Sequence, residues 1–398
     1  MPPVAGYRRG LRATVHGRCF GLKLRREFQT GTLGPTSVAL ANGAATGASQ
    51  VPAGYFLGET YPGALLEGAL SALEAGRSRP LVLCGPPGTG KSHTLAALHH
   101  CLRSTSAYRR WLQTWDRRLE RAQPSANALR RGVQVLSRDL ESSGFQFLAD
   151  YILGWHLRGE WARAEWERTR TSAYQNPSRA LLEAMFQAHP AVFIFDGFQG
   201  WFESLATGGS GPSRATAVDL IKTLAAIAAE SPDRVALVFA VEDPHSAAFR
   251  ALASLNPSVL DCNLDCYRRD RSYRLVQRIF QDRWKIPAAT LRRHLQPFVD
   301  RYAEICRRPS VTSADSAQED AWSVVPKSWP FTPGLVELIE DRLDIADRTQ
   351  ANRILIKLLV DLFEKQSRRS NLISLADIGL NPHDGGIADW LAAAWRST

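Results

Sequence analysis

The 398-residue sequence predicts an α/β fold, a parallel sheet with helices on both faces, followed by a helical C-terminal region. Three observations lead there. An apolar run, Leu81-Val82-Leu83-Cys84, feeds directly into Gly85-Pro86-Pro87-Gly88-Thr89-Gly90-Lys91-Ser92, the spacing GxxxxGK[ST]. From that point to about residue 285, short apolar runs alternate with helix-period stretches. Beyond it, apolar residues recur at helical spacing alone.

Each element follows from its own residues. The pattern at Tyr55 opens the folded core, and Ala64–Ala75 reads as a helix ahead of the first strand, Leu81–Cys84. A helix is expected from His93 onward. The second strand, Val133–Leu136, is the weakest. The third, Ala191–Phe195, ends in Asp196, and the fourth, Val235–Val241, ends in Glu242-Asp243. A fifth, Val259–Cys266, runs into the arginine-rich stretch Tyr267–Arg274. Tyr108–Arg131 and Trp155–Arg170 read as helices inserted around the second strand. Their Trp155, Trp161 and Trp166 fit either a partner-facing stripe or buried helix packing. Ala206–Ala217, with its Gly-Gly-Ser-Gly-Pro, reads as a polar surface loop. The C-terminal helices are expected over Ala288–Arg308, Gly334–Arg342, Thr349–Lys365 and Ile387–Trp395, with a polar break at Pro309–Asp320. The resulting division is a basic N-terminal arm and flexible linker (1–54), an α/β core with helical insertions (55–285) and a helical lid or bundle (286–398).

Composition narrows the functional classes. With 44% apolar residues the chain can bury substantial cores, and it has no apolar run long enough to span a membrane. The N-terminus is basic without an apolar signal core, which points to the cytoplasm. Of six cysteines, only Cys262 and Cys266 are close, and no second pair completes a zinc site. The net charge of +10 is unevenly placed: residues 1–30 hold seven Lys/Arg against one Glu, and residues 101–140 hold nine Arg against three acids. Two readings of that excess stay open, a polyanionic partner such as nucleic acid or a solvated arginine-rich surface.

The GxxxxGKS segment names a chemistry directly. Its glycines let successive N–H groups point inward at phosphate oxygens, and the helix from His93 presents its positive N-terminus to the same anion. Gly85, Pro86, Pro87, Gly88, Thr89, Gly90, Lys91, Ser92 and His93 are therefore the expected nucleotide-binding residues. Lys91 would reach the β- and γ-phosphates of ATP, and Ser92 would help hold Mg²⁺. Val192-Phe193-Ile194-Phe195-Asp196 fits the partner strand, an apolar run delivering a carboxylate to the sheet's carboxyl edge, where Asp196 would hold Mg²⁺ through water. Many ATPases of this type follow that Asp with a water-polarising Glu. Here the next residues are Gly197-Phe198-Gln199-Gly200, so no base is assigned by motif. An Asp-Gly pair resembles signal-transduction ATPases with numerous domains, which carry acids two and three positions on. Glu203 and Glu242 are the candidates that remain. The end of the fourth strand is where a polar sensor meets the γ-phosphate, a place held here by Glu242 or Asp243.

Taken together, the phosphate loop, insertion-laden second strand, acid-terminated third strand, sensor position and helical lid resemble the AAA+ division of P-loop ATPases. That resemblance implies strand order 5-1-4-3-2. Four further segments are similar to the large prokaryotic ATPases of phage-defence islands, including the BREX-type P-loop proteins: Phe56-Leu57-Gly58-Glu59-Thr60-Tyr61-Pro62, Tyr273 to Phe280, Trp329-Pro330-Phe331-Thr332-Pro333 with Leu335, and Asp347 to Leu355. The last two keep Pro-Phe and Arg-Thr cores but lose the His, second Arg and Gly typical of that group. By this resemblance Arg348 or Arg353 would be the lid arginine on the γ-phosphate, and Arg250, Arg268, Arg269 or Arg271 would complete a neighbour's site. The implied protein is a homo-oligomeric ATPase acting on or with DNA, with partner proteins of a multi-component system. A nucleotide-gated scaffold that recruits a nuclease or transposase is the alternative. A replication-initiator or transposition-regulator ATPase is a third reading, for which the C-terminal stretch supplies no clear β-wing.

Overall fold

The computed structural model describes residues 22–25, 51–58, 60–75, 79–119, 133–144, 146–207, 212–264, 273–281, 283, 286–306, 314–342, 348–367 and 370–378. The chain divides into two compact units, one of residues 35–274 and the other of residues 1–34 with 275–398.

The larger unit is a five-stranded parallel sheet in the order β2-β3-β4-β1-β5, which read from the other edge is the expected 5-1-4-3-2. Its strands are β1 (Leu81–Cys84), β2 (Gln134–Asp139), β3 (Ala191–Asp196), β4 (Val235–Val241) and β5 (Ser258–Asp261). Every residue of β1, β3 and β4 is buried, as uninterrupted apolar runs covered on both faces must be. Phe195 lies 5.3 Å from Phe239 between ring centroids, and Phe198 lies 5.0 Å from the same ring, joining β3, β4 and the following helix in one core. The edge strands are mixed in burial, and their extents differ from expectation. β2 runs on to Asp139, because pairing with β3 holds Ser137, Arg138 and Asp139 in register with Ile194, Phe195 and Asp196. β5 stops at Asp261, after which Cys262 enters a turn.

The helices of this unit are α1 (Ala53–Gly58), α2 (Ala64–Ala75), α3 (Lys91–Arg103), α4 (Thr105–Leu119), α5 (Leu148–Trp155), α6 (Gly159–Thr169), α7 (Arg179–Ala188), α8 (Phe198–Ser204), α9 (Arg214–Glu230) and α10 (Ala247–Ala253). The tryptophan stripe divides. Trp166 is buried and donates its indole N–H to the Gln175 carbonyl, whereas Trp155 and Trp161 are exposed. The expected polar loop at Ala206–Ala217 is shorter than its composition suggests. Ser213 caps α9, accepting from the Thr216 N–H while the Thr216 hydroxyl accepts from the Ser213 N–H, so the helix begins at Arg214. Residues 208–211 of that loop and 120–132 of the first insertion lie outside the described residues.

The smaller unit is helical: α11 (Ala288–Cys306), α12 (Ala314–Ser328), α13 (Leu335–Arg342) and α14 (Arg348–Gln366). Its core gathers Phe280, Leu295, Val299, Val325, Trp329, Phe331, Leu359 and Phe363. Residues 23–25 join it through an antiparallel bridge, Leu24 opposite Phe280, with the Arg25 N–H on the Ile279 carbonyl and the Gln281 N–H on the Lys23 carbonyl. The polar break expected at Pro309–Asp320 is in part helix. α12 starts at Ala314 and is anchored by Ala321 and Val325, a stripe too thin to read from one turn. Residues 1–21 and 26–50 of the N-terminal arm and linker, and the expected helix Ile387–Trp395, lie outside the described residues, and α1 already begins at Ala53. Among the described residues no helix is long and apolar enough to cross a membrane.

Candidate functional site

The phosphate loop hangs between three strands. The Gly85 N–H donates to the Val241 carbonyl of β4, and the Cys262 N–H donates to the Cys84 carbonyl of β1, so the loop leaves a fixed edge. Gly88 and Gly90 take φ of 79° and 91°, left-handed values at which a side chain would be strained, and Gly90 is the residue that turns the chain into α3. The Thr89 hydroxyl donates to the Pro86 carbonyl at 2.9 Å and closes the turn. Lys91 is buried, and its ammonium donates to the carbonyls of Gly85 and Pro86, the latter at 3.0 Å. Burial lowers its pKa, and Glu242 is the strongest charge opposing that effect. Cys84 and Cys262 flank the loop with thiols that burial pushes up to about 11, so both stand protonated there.

The structure brings the two expected metal ligands close together. The side chain of Ser92, in the first turn of α3, is near enough to the Asp196 carboxyl, at the end of β3, to hold its pKa down. Asp196 Oδ1 also accepts the Gly197 N–H at 3.1 Å. Burial raises the pKa of Asp196; Ser92 opposes the rise, Asp139 adds to it, and Gly197 and Lys91 oppose it. Two neighbouring oxygen donors, one of them a carboxylate, suit a hard divalent cation shared with phosphate oxygens. Among the described residues there is no cluster of three or more His, Cys, Asp or Glu that could hold a metal ion.

Glu242 is exposed at the end of β4, and Asp243 beside it. Both their backbone N–H groups donate to one acceptor, Gln199 Oε1, at 3.1 and 3.0 Å. Gln199 therefore ties the start of α8 to the sensor position. Glu203 belongs to a different place: residues 198–204 form a helix rather than folding back, which puts it in the last turn of α8, far along the helix from Asp196.

Arg348 and Arg353 belong to the first turns of α14 in the smaller unit, and their side chains lie outside the described residues. Arg268, Arg269 and Arg271 also fall outside them, and Arg250 is exposed on α10. Sequence reasoning missed Arg274. Its guanidinium stands against the last glycine of the loop, where a Cβ on Gly90 would come 2.9 Å from one of its terminal nitrogens. Arg274 lies within Tyr273–Phe280, one of the segments of family likeness, and its spacing from the loop follows no motif.

A parallel sheet in this order, with GxxxxGKS after β1 and a buried acid closing β3, has the AAA+ P-loop NTPase fold, a class that binds nucleoside triphosphates. Residues 63–239 match the family described as an AAA ATPase domain, a span that includes the phosphate loop and Asp196. No curated protein matches the chain. Among solved structures it is similar to C. elegans PCH-2, with 10% identity over 85% of this chain and 72% of that one, at a TM-score of 0.25.

Proposed function

We propose that this chain binds ATP with Mg²⁺ at the loop 85–92 and hydrolyses it, working as a homo-oligomer that acts on or with DNA. The observation that carries the reading is the junction of the two motifs: Ser92 close to Asp196, with Lys91 buried beside them. In this reading the backbone N–H groups of residues 88–92, which include the start of α3, bind the phosphates. Lys91 exchanges its loop carbonyls for β- and γ-phosphate oxygens, and Ser92 and Asp196 hold the metal. The metal, when bound, neutralises charge that develops on the transferred phosphoryl group. Glu242 senses the γ-phosphate end of the site from just beyond β4, and Arg348 or Arg353 supplies the lid cation.

The basic segments 1–30 and 101–140 support a nucleic-acid partner. The four segments similar to phage-defence ATPases support a place in defence or mobile-element control, with partner proteins. The deciding experiment is ATP turnover by the purified chain, with and without duplex DNA, for wild type, Lys91→Ala and Asp196→Ala. DNA-stimulated turnover lost in both variants is the expected result. Turnover indifferent to DNA removes the DNA part of the proposal.

One observation favours a second reading. Gly197 stands where a water-polarising Glu is expected, which suits a nucleotide-gated scaffold that binds ATP and turns it over little. Tight ATP binding with negligible turnover is the outcome that selects it.

A further inference from the structure

Gly197 follows β3, and the space a side chain there would fill is taken by Asp139 of β2 and Glu141 just beyond it. A Cβ built on Gly197 would fall 2.5 Å from Asp139 Oδ1 and 2.9 Å from the Cβ of Glu141. One built on Gly200 would fall 2.5 to 2.8 Å from the Glu141 carboxyl carbon and its two oxygens. The two glycines of Asp-Gly-Phe-Gln-Gly thus make the room in which the Glu141 side chain lies. With φ of 59°, Gly197 also holds a left-handed turn into α8 that brings this backbone close to the β2 end.

The arrangement is fixed by pairing. Asp139 is in register with Asp196, and the Leu140 N–H donates to the Asp196 carbonyl at 2.9 Å. Glu141 opens the short 3₁₀ turn Glu141–Ser143 that follows. Asp139 is occupied in holding that turn: its carboxylate accepts the Ser142 hydroxyl at 2.5 Å. Glu141 is exposed, and its carboxylate makes no hydrogen bond or ion pair among the described residues. The phosphate loop and the buried Lys91 mark the nucleotide position without reference to these acids.

We propose that Glu141 is the general base of this ATPase, supplied from the turn after β2 in place of a glutamate at residue 197. The proposal rests on the hydrolytic reading above. In the step it serves, a water oxygen forms a bond to the γ-phosphorus while the bond from that phosphorus to the β,γ-bridging oxygen breaks. The electron pair leaves with ADP, and the water's proton passes to the Glu141 carboxylate. Asp139 is a positioning residue that sets the turn.

The test pairs ATP binding, measured by calorimetry, with turnover, for wild type, Glu141→Gln, Gly200→Ala and the double variant. Glu141→Gln is isosteric and exposed, so ATP affinity stays at the wild-type value while turnover falls about a hundredfold or more. Gly200→Ala suits a helix and pushes its methyl into the Glu141 carboxylate. It slows wild type but adds nothing in the Glu141→Gln background, because both changes act on one group. Wild-type turnover in Glu141→Gln overturns the base assignment and leaves the ATPase reading standing. Equal slowing by Gly200→Ala in both backgrounds also overturns it. Binding without turnover in the wild type itself removes the hydrolytic reading, and the base with it.

Discussion

The two halves of the nucleotide site are built on opposite plans. The phosphate side is one contiguous segment, residues 81–92, in which strand, loop and helix start follow each other. The acidic side is assembled from the ends of three strands: Asp139 on β2, Asp196 on β3 and Glu242 after β4. Sheet register, rather than sequence neighbourhood, holds it together. A contiguous site survives as a motif because its geometry needs those residues in that order. An assembled site can move a group from one strand to the next and leave no trace in either.

That contrast can be broken at its strongest point first. Lys91→Ala removes the one buried cation that the local segment aims at phosphate, and we expect turnover to fall about a hundred- to a thousandfold. Steady-state assays, with melting temperature as a check on folding, measure it. Asp196→Asn tests the assembled half by removing the carboxylate charge while keeping the side chain's shape. Turnover should drop roughly a hundredfold and require more magnesium, read from a metal titration. If Asp196→Asn leaves the magnesium requirement unchanged, the assembled half does not hold the metal.

Arg274 sharpens the comparison, since it brings a second cation to the contiguous half from beyond β5. Arg274→Ala should weaken nucleotide affinity by about tenfold, the worth of one charge-assisted hydrogen bond. Unchanged affinity would show that the loop works with its own residues alone. The smallest expected effect lies behind the site. His99, on α3, bonds Ser137 of β2 at 2.7 Å, and burial, with His100 and Arg103 nearby, lowers its pKa to about 3. The fold therefore prefers the neutral ring. Stability is full above the unfolded pKa near 6.5 and is lost as pH falls from there toward 3, by at most about 1.4 kcal/mol per pH unit. Denaturant unfolding across that window should show the slope in wild type and its loss in His99→Gln.

The same contrast explains what was legible in the sequence. β1, β3 and β4 are unbroken apolar runs and were read to within a residue, because burial on both faces leaves no ambiguity. The strand order followed from family resemblance. β2 and β5 are partly exposed, and their ends are set by pairing partners that single-chain patterning does not contain. α12 was hidden by its polar first turn, since a stripe as narrow as Ala321 and Val325 sets no clear period. The loop residues and Asp196 were named from motifs. Glu141 and Arg274 were not, because each reaches the site from a separate element and is recognisable only by what a glycine elsewhere would otherwise collide with.

Gln199 has a consequence of its own. One amide oxygen receives both N–H groups of the Glu242-Asp243 turn, and a glutamate would accept the same two bonds with the same reach. Shape therefore does not require glutamine at this position. The sheet edge already carries Asp139, Glu141, Asp196, Glu242 and Asp243, and it faces a loop made to receive a polyanion. A neutral acceptor leaves that edge one charge less negative, which eases the approach of a triphosphate without loosening the joint between α8 and β4.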